Sequence, residues 1–100
     1  MRFRGPGIGL RMSPGVAASS SSYWTALSPT NLVATVLSST SIKLDWTNND
    51  TTGDGVSIER STDGITYTEI GTVVLGVTTY SDTTCIAGTL YYYRVRAFKN

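Results

Sequence analysis

The sequence contains no histidine and only one cysteine, Cys85. Without histidine, Ser-His-Asp catalysis, Cys-His catalysis and histidine metal sites are excluded. With one cysteine, no disulfide can form within the chain, so the fold does not need an oxidising compartment. The seven acidic residues are scattered and form no recognisable acid/base pair. We therefore expect a protein that is not an enzyme and binds no cofactor.

Oxygen ligands for a metal are concentrated in one place, the polar segment 48–55. This segment contains two aspartates and two asparagines, but it lacks the alternating ligand spacing and the closing glutamate of a calcium-binding loop. An ordinary loop between two strands accounts for it better, so no metal site is expected.

Charged residues make up only 15% of the chain, and the net charge is +1. This balance gives no general attraction to nucleic acid, which is not expected as a partner. Acids are absent from residues 1–44, where the charged side chains are Arg2, Arg4, Arg11 and Lys43. The basic N-terminus indicates a segment that binds an acidic or carbonyl-rich partner, with a solvated tail as the alternative.

Long hydrophobic runs are also missing. No stretch approaches the ~20 apolar residues of a membrane-spanning helix, so no membrane association is expected. Residues 1–18 begin with arginines and end in two alanines, but glycine, proline and arginine interrupt the middle. The continuous apolar segment of ~7–15 residues that a signal peptide needs is therefore absent, and we expect no secretion by that route.

Residues 1–28 are expected to form an extended docking arm. Ser19–Ser22 has the composition of a flexible linker, but Tyr23 and Trp24 are unusual in a disordered tail. The arm is therefore expected to dock on its own subunit or a neighbour, unless Trp24 only covers the base of the following domain. Six residues are expected to prevent regular structure in its first half: Gly5, Pro6, Gly7, Gly9, Pro14 and Gly15.

Residues 29–100 have the sequence pattern of a β-domain. Alternation of apolar and polar side chains predicts six short strands, at residues 32–37, 42–47, 56–60, 66–74, 77–82 and 89–98. Turn residues separate them, including Asp63-Gly64, a strong hairpin signal. No segment shows a sustained helical period. The fold class is therefore all-β, as a sandwich or barrel.

The last strand has two different faces, since alternate side chains point to opposite sides. The face expected to lie in the core carries Tyr91, Tyr93, Val95 and Ala97. The wetter face carries Leu90, Tyr92, Arg94, Arg96 and Phe98. Aromatic and guanidinium groups on the wetter face could bind a protein or a sugar. The alternative is an ordinary sheet face covered by solvent or a neighbour.

From about residue 28 to residue 100 the chain resembles a fibronectin type III domain. The residues that match are Pro29, Leu32, Ala34, Ile42 to Trp46, Ile58 to Gly64, Thr79 to Thr83 and Thr89 to Ala97. The resemblance implies an immunoglobulin-like β-sandwich, with Trp46 in its core and Tyr91 as the tyrosine-corner residue. Cys85 stands where the family usually has leucine, which implies a small buried hydrophobe rather than a reactive thiol.

The resemblance also implies a missing strand. The family places a seventh strand beside the last strand predicted here, and this chain stops at Asn100. The edge of the last strand is therefore expected to accept another strand, supplied from within residues 16–27. An arm from the same subunit is expected to run parallel to the last strand. An antiparallel strand would need a long return or donation by a neighbouring copy.

These features predict a structural assembly subunit. The best fit is a virion component, such as a capsid-decorating, head-fibre or tail-associated protein of a bacteriophage, on the virion or an extracellular surface. The expected partners are other protein subunits, either copies of itself or virion proteins. The alternatives are a self-polymerising extracellular filament, or a monomeric module that binds carbohydrate or protein. This step is analogy, because a fold does not fix a function.

Overall fold

The computed structural model describes residues 2–9 and 26–100, and these ranges contain seven strands and no helix. The strands are β1 (Phe3–Gly9), β2 (Thr30–Ser38), β3 (Ser41–Thr47), β4 (Gly55–Ser61), β5 (Thr68–Val74), β6 (Thr79–Asp82) and β7 (Tyr92–Lys99). They form two antiparallel sheets, β1-β7-β4-β5 and β2-β3-β6, consistent with a β-sandwich. The all-β prediction is confirmed, and each of the six predicted strands corresponds to one of β2 to β7.

The hydrophobic core lies between the two sheets. It is made by every second residue of the strands, as the period of two in a strand requires. Its buried members are Leu32, Leu44, Trp46, Val56, Ile58, Tyr93 and Val95. Removing an aliphatic side chain of this kind from water stabilises the fold by roughly 1.5–3 kcal/mol. The central strand β4 is buried on its other face as well, where its side chains are polar.

The edge of β7 is occupied by β1, a segment that the sequence predicted to be irregular. That prediction was wrong. The strand expected from residues 16–27 was also misplaced, because Phe3–Gly9 lies at this edge; residues 10–25 fall outside the described residues, and Ala26 and Leu27 are not in a strand. β1 runs antiparallel to β7, from Phe3 beside Lys99 to Gly9 beside Arg94. The expected parallel direction was therefore wrong too.

Glycine and proline are tolerated in β1 because of its position and a bulge. β1 is the edge strand on this side of the sheet, so the N–H and C=O groups along its outer edge need not bond to another strand of the sheet. Between Arg4 and Gly7 it advances three residues while β7 advances two, from Phe98 to Arg96. The extra residue forms a β-bulge, where a proline without an N–H group can be accommodated.

Two glycines allow β1 to approach its neighbours closely. A Cβ atom on Gly5 would overlap the Cβ of Ala26. A Cβ atom on Gly7 would lie 2.6 Å from both the Cβ of Arg96 and the carbonyl oxygen of Val95. Because these are backbone and near-backbone atoms that cannot move aside, both positions require the absence of a side chain.

The antiparallel direction requires a return of the chain. β1 ends beside Arg94, whereas Ala26 lies beside Gly5 in the middle of β1. The return uses residues 10–25, sixteen residues, which can span up to roughly 50 Å when extended. A seven-residue strand is only about 23 Å long. This segment is therefore much longer than a direct return within one subunit needs.

The contact between Gly5 and Ala26 makes a prediction about stability. Gly5→Ala should destabilise the fold by about 1–3 kcal/mol, because two methyl groups would compete for one position. Combining it with Ala26→Gly should recover most of this loss, since the single methyl group then sits on residue 5 of β1 instead of on residue 26. Urea unfolding measures both. An equal cost of Gly5→Ala in the presence and absence of Ala26→Gly would contradict the contact.

Candidate functional site on the outer face of the larger sheet

Three arginines converge on the carboxylate of Glu59. Glu59 lies on β4, and its side chain is only 4% exposed. Arg94 Nε on β7 lies 2.6 Å from Oε1, and Arg96 Nε lies 2.9 Å from Oε2. Arg4 Nε on β1 lies 3.6 Å from the same Oε2. A buried carboxylate needs such partners, since an unpaired charge away from water is costly.

A second carboxylate, Glu69 on β5, joins the same cluster. It accepts a hydrogen bond of 2.6 Å from Ser57 Oγ. Arg2 Nη1 lies 3.0 Å from Oε1, and Arg4 Nη2 lies 3.4 Å from it. These ion pairs cross β7 and β4, so they tie the first strand of the sheet to the last. We call this cluster the arginine face, defined by Arg2, Arg4, Arg94 and Arg96 with Glu59 and Glu69.

Aromatic rings stack on two of the arginines. The guanidinium of Arg2 lies 3.8 Å from the ring centroid of Phe98, and that of Arg94 lies 4.2 Å from the ring centroid of Tyr67. Such cation–π contacts hold a long side chain in place. Phe98 was predicted on the wetter face of the last strand. It is on that face but only 8% exposed, and Arg2 stacks on it.

Both carboxylates of the arginine face are held in the charged form. Burial alone would raise the pKa of Glu59, but hydrogen bonds from Arg96 and Arg94 outweigh it, and the pKa lies below the ordinary 4.5. For Glu69, burial is likewise outweighed by hydrogen bonds from Ser57 and Arg2, and the pKa is again lowered. Charge pairing rather than desolvation therefore decides the protonation state of this face.

The lowered pKa of Glu59 predicts a loss of stability in acid. The folded state binds this proton less tightly than the unfolded chain, so the stabilisation is complete above about pH 4.5 and is lost as the pH falls further. Glu59→Gln should lower stability at neutral pH and flatten its decline in acid. Urea unfolding at several pH values between about 3 and 7 tests this. Asp45→Asn, at an exposed carboxylate 3.9 Å from Lys43, is the control and should change little.

A separate polar cluster surrounds Asp82, which is 2% exposed. Its Oδ2 accepts hydrogen bonds of 2.8 Å from Tyr93 Oη and from Arg60 Nη1, and Oδ1 accepts one of 2.7 Å from Thr84 Oγ1. Burial would raise the pKa of Asp82, but the hydrogen bonds lower it strongly. For Tyr93, burial and the hydrogen bonds with Cys85 and Asp82 raise the pKa of the hydroxyl. Arg60 thus ties β4 to β6 in the other sheet.

Cys85 belongs to the Asp82 cluster. It is 7% exposed, and its Sγ lies 3.4 Å from Asp82 Oδ2 and 3.3 Å from Tyr93 Oη. The structure places the other expected structural residues near it or in the core. Trp46 is 5% exposed, and Tyr91 Oη accepts a hydrogen bond of 2.8 Å from the N–H of Ile86. That last bond ties the β6–β7 connection to Tyr91, the residue before β7.

The hydrogen bonds of the Asp82 cluster predict that removing the hydroxyl of Tyr93 lowers the stability of the fold. Tyr93→Phe should destabilise the fold by about 1–3 kcal/mol, since a buried carboxylate oxygen loses a donor. Tyr92→Phe is the matched control on the same strand, because the Tyr92 hydroxyl makes no hydrogen bond with the described residues. Thermal or urea unfolding compares the two. Equal effects of both changes would show that the hydroxyl of Tyr93 contributes nothing.

The structure brings together five of the nine predicted interaction residues. Arg2, Arg4, Arg94, Arg96 and Phe98 meet on the arginine face, and Tyr92 lies half-buried at the start of β7. Arg11, Tyr23 and Trp24 lie outside the described residues. Sequence reasoning missed four members of the two clusters: Glu59, Glu69, Arg60 and Asp82. The position of Arg60 could have been inferred from the sequence. Alternation in β4 places its side chain on the same face as the core residues Val56 and Ile58, and a charged group there requires a buried partner of opposite charge.

Asp50 in the 48–55 loop accepts hydrogen bonds from the N–H groups of Leu27 and Gly53, and residues 2–9 and 26–100 contain no group of three metal-binding side chains. Nothing in those ranges forms a helix of the length and apolarity that a membrane crossing needs.

No protein-family model matches the sequence, and no curated protein matches it.

Proposed function

We propose that the protein is a non-enzymatic structural subunit that joins other protein subunits through its N-terminal segment. One observation carries this proposal. Twenty residues separate the end of β1 from the start of β2, yet β1 completes the edge of β7 and reaches β4 and β5 through the ion pairs of Arg4. A strand attached by a long connection can bind its own sheet or an equivalent sheet on a neighbour.

We further propose that the sandwich is of the fibronectin type III kind. The order β2-β3-β6 in one sheet and β7-β4-β5 in the other supports this, together with the positions of Trp46 and Tyr91. In this proposal β1 stands beside β7 where the family has its seventh strand.

The length of the connection decides when a neighbour is used. A segment that is covalently linked to its binding site has an effective concentration there of up to about millimolar order. In dilute solution each chain should therefore close on its own β1. In a dense array the neighbours reach similar concentrations, and β1 can exchange between them without loss of contacts. The assembly would then be head-to-tail or closed, according to the arrangement of the copies.

A virion component is the setting we propose, as capsid decoration, head fibre or tail-associated protein of a bacteriophage. A small sandwich that needs no disulfide and carries a docking segment suits a particle with many copies at high density. A self-polymerising extracellular filament would use the same strand exchange.

A monomeric module that binds carbohydrate or protein is the second candidate. It is favoured by the observation that β1 completes the sheet of its own chain. A self-contained sandwich needs no neighbour, and its partly exposed arginines would then serve as a binding surface.

Size-exclusion chromatography with light scattering distinguishes the two. The assembly proposal predicts a mass that rises with concentration towards about 1 mM. Gly7→Val should abolish the rise, because β1 can no longer seat against Arg96 and Val95. Thr35→Val, on the exposed strand β2, should leave it unchanged. A chain that stays monomeric throughout and binds glycans would overturn the assembly proposal.

A further inference from the structure

The arginine face has a surplus of positive charge. It contains four arginines and two glutamates, so its charge is four minus two, or +2. The whole chain has a net charge of only +1. The net positive charge of this face is therefore larger than that of the whole chain.

Many donors of these arginines remain unused within the described residues. A guanidinium has five N–H donors. Arg94 and Arg96 each hydrogen-bond Glu59 through Nε only, and their side chains are 34% and 27% exposed. Arg4 is 36% exposed; among the described residues it makes one hydrogen bond, from Nη2 to Glu69, and its Nε lies 3.6 Å from Glu59 Oε2. The outer face therefore keeps charged donors within reach of a ligand.

The arginines are already held in position before any ligand binds. Glu59 fixes Arg94 and Arg96, and the ring of Tyr67 supports Arg94. Ordering a free arginine side chain on binding costs rotamer entropy. Because the internal contacts already order these side chains in the free protein, little further rotamer entropy is lost when a ligand binds, and this favours binding.

The spacing of the donors matches an extended peptide. Arg94 and Arg96 are two residues apart on one strand face, so their Cα atoms are separated by about 6.7 Å. Carboxylates on alternate residues of an extended peptide have the same spacing. Arg4 adds a third donor group on the neighbouring strand β1.

We propose that the arginine face binds an extended acidic segment of a partner protein, with a carboxylate at every second residue. Each carboxylate accepts hydrogen bonds from a guanidinium, as the planar shapes of both groups allow. This inference rests on the proposed function, in that the partner is a protein subunit, and it adds the chemistry by which that subunit is recognised.

Other polyanions fit the face less well. Proteins that bind single-stranded nucleic acids or sugars commonly use free aromatic rings for stacking on bases or sugar rings. Here Arg94 lies over Tyr67, and Arg2 lies over Phe98. Glu59 and Glu69 would also repel a dense row of phosphates, whereas a peptide with alternate carboxylates brings fewer charges.

Fluorescence polarisation with labelled peptides tests the inference on the full chain. The probe is a Gly-Glu repeat with four glutamates, and the comparison peptide has the same composition with its glutamates contiguous. The repeat should bind at least about threefold more tightly, and its affinity should fall as salt is added. Arg4→Gln should weaken it by at least about threefold, and Arg94→Lys should weaken it while keeping the charge.

Lys43→Gln is the matched control, because it removes the same charge from β3 in the other sheet. It should leave binding unchanged. Equal effects of Lys43→Gln and Arg4→Gln would overturn the proposal, as would absence of binding at low salt or tighter binding of a polygalacturonate oligomer. A chain that self-associates in light scattering but ignores the peptide would keep the proposed function and lose only this inference.

Discussion

The charge of Glu59 is the constraint on which the larger sheet depends. A carboxylate with 4% exposure at the centre of a sheet can stay ionised only if cations surround it. Arg94 and Arg96 meet that need from the neighbouring strand, and Arg4 adds to it from β1. The N-terminal segment is therefore part of the electrostatic balance of the sheet as well as of its hydrogen-bond ladder. Its seating and the ionisation of Glu59 are two aspects of one arrangement.

The Asp82 cluster plays the corresponding part between the sheets. Arg60 on β4 donates a hydrogen bond to the carboxylate of Asp82 on β6, and Tyr93 on β7 donates a second one to the same carboxylate. Apolar packing between sheets is not directional, whereas these hydrogen bonds fix how one sheet is placed over the other. The buried carboxylates of Glu59 and Asp82 thus have different tasks. One aligns the strands within a sheet, and the other aligns the two sheets.

The strands β2 to β7 could be predicted because apolar and polar residues alternate along them, and in β3 and β7 this alternation reflects the burial of one face. β1 could not, since it docks by close backbone approach, and positions such as Gly5 and Gly7 leave no hydrophobic pattern. The sequence indicated this strand in one way only: Arg2 and Arg4 are two residues apart, which is the spacing of neighbouring side chains on one face of a strand. The partners of Arg94 and Arg96 were also unpredictable, because they depend on strand order. The inward position of Arg60 could have been predicted from alternation alone.

The composition of β1 has a consequence for how far the sheet can grow. An exposed strand edge is a template on which other chains add, and native proteins protect such edges with proline, bulges and charge. β1 has all three: Pro6, the irregularity between Arg4 and Gly7, and the arginines themselves. It covers the long regular edge of β7 and offers an interrupted one in its place. The residues that make β1 a poor strand by propensity therefore make it a good terminus for a sheet, and they guard the molecule against uncontrolled aggregation.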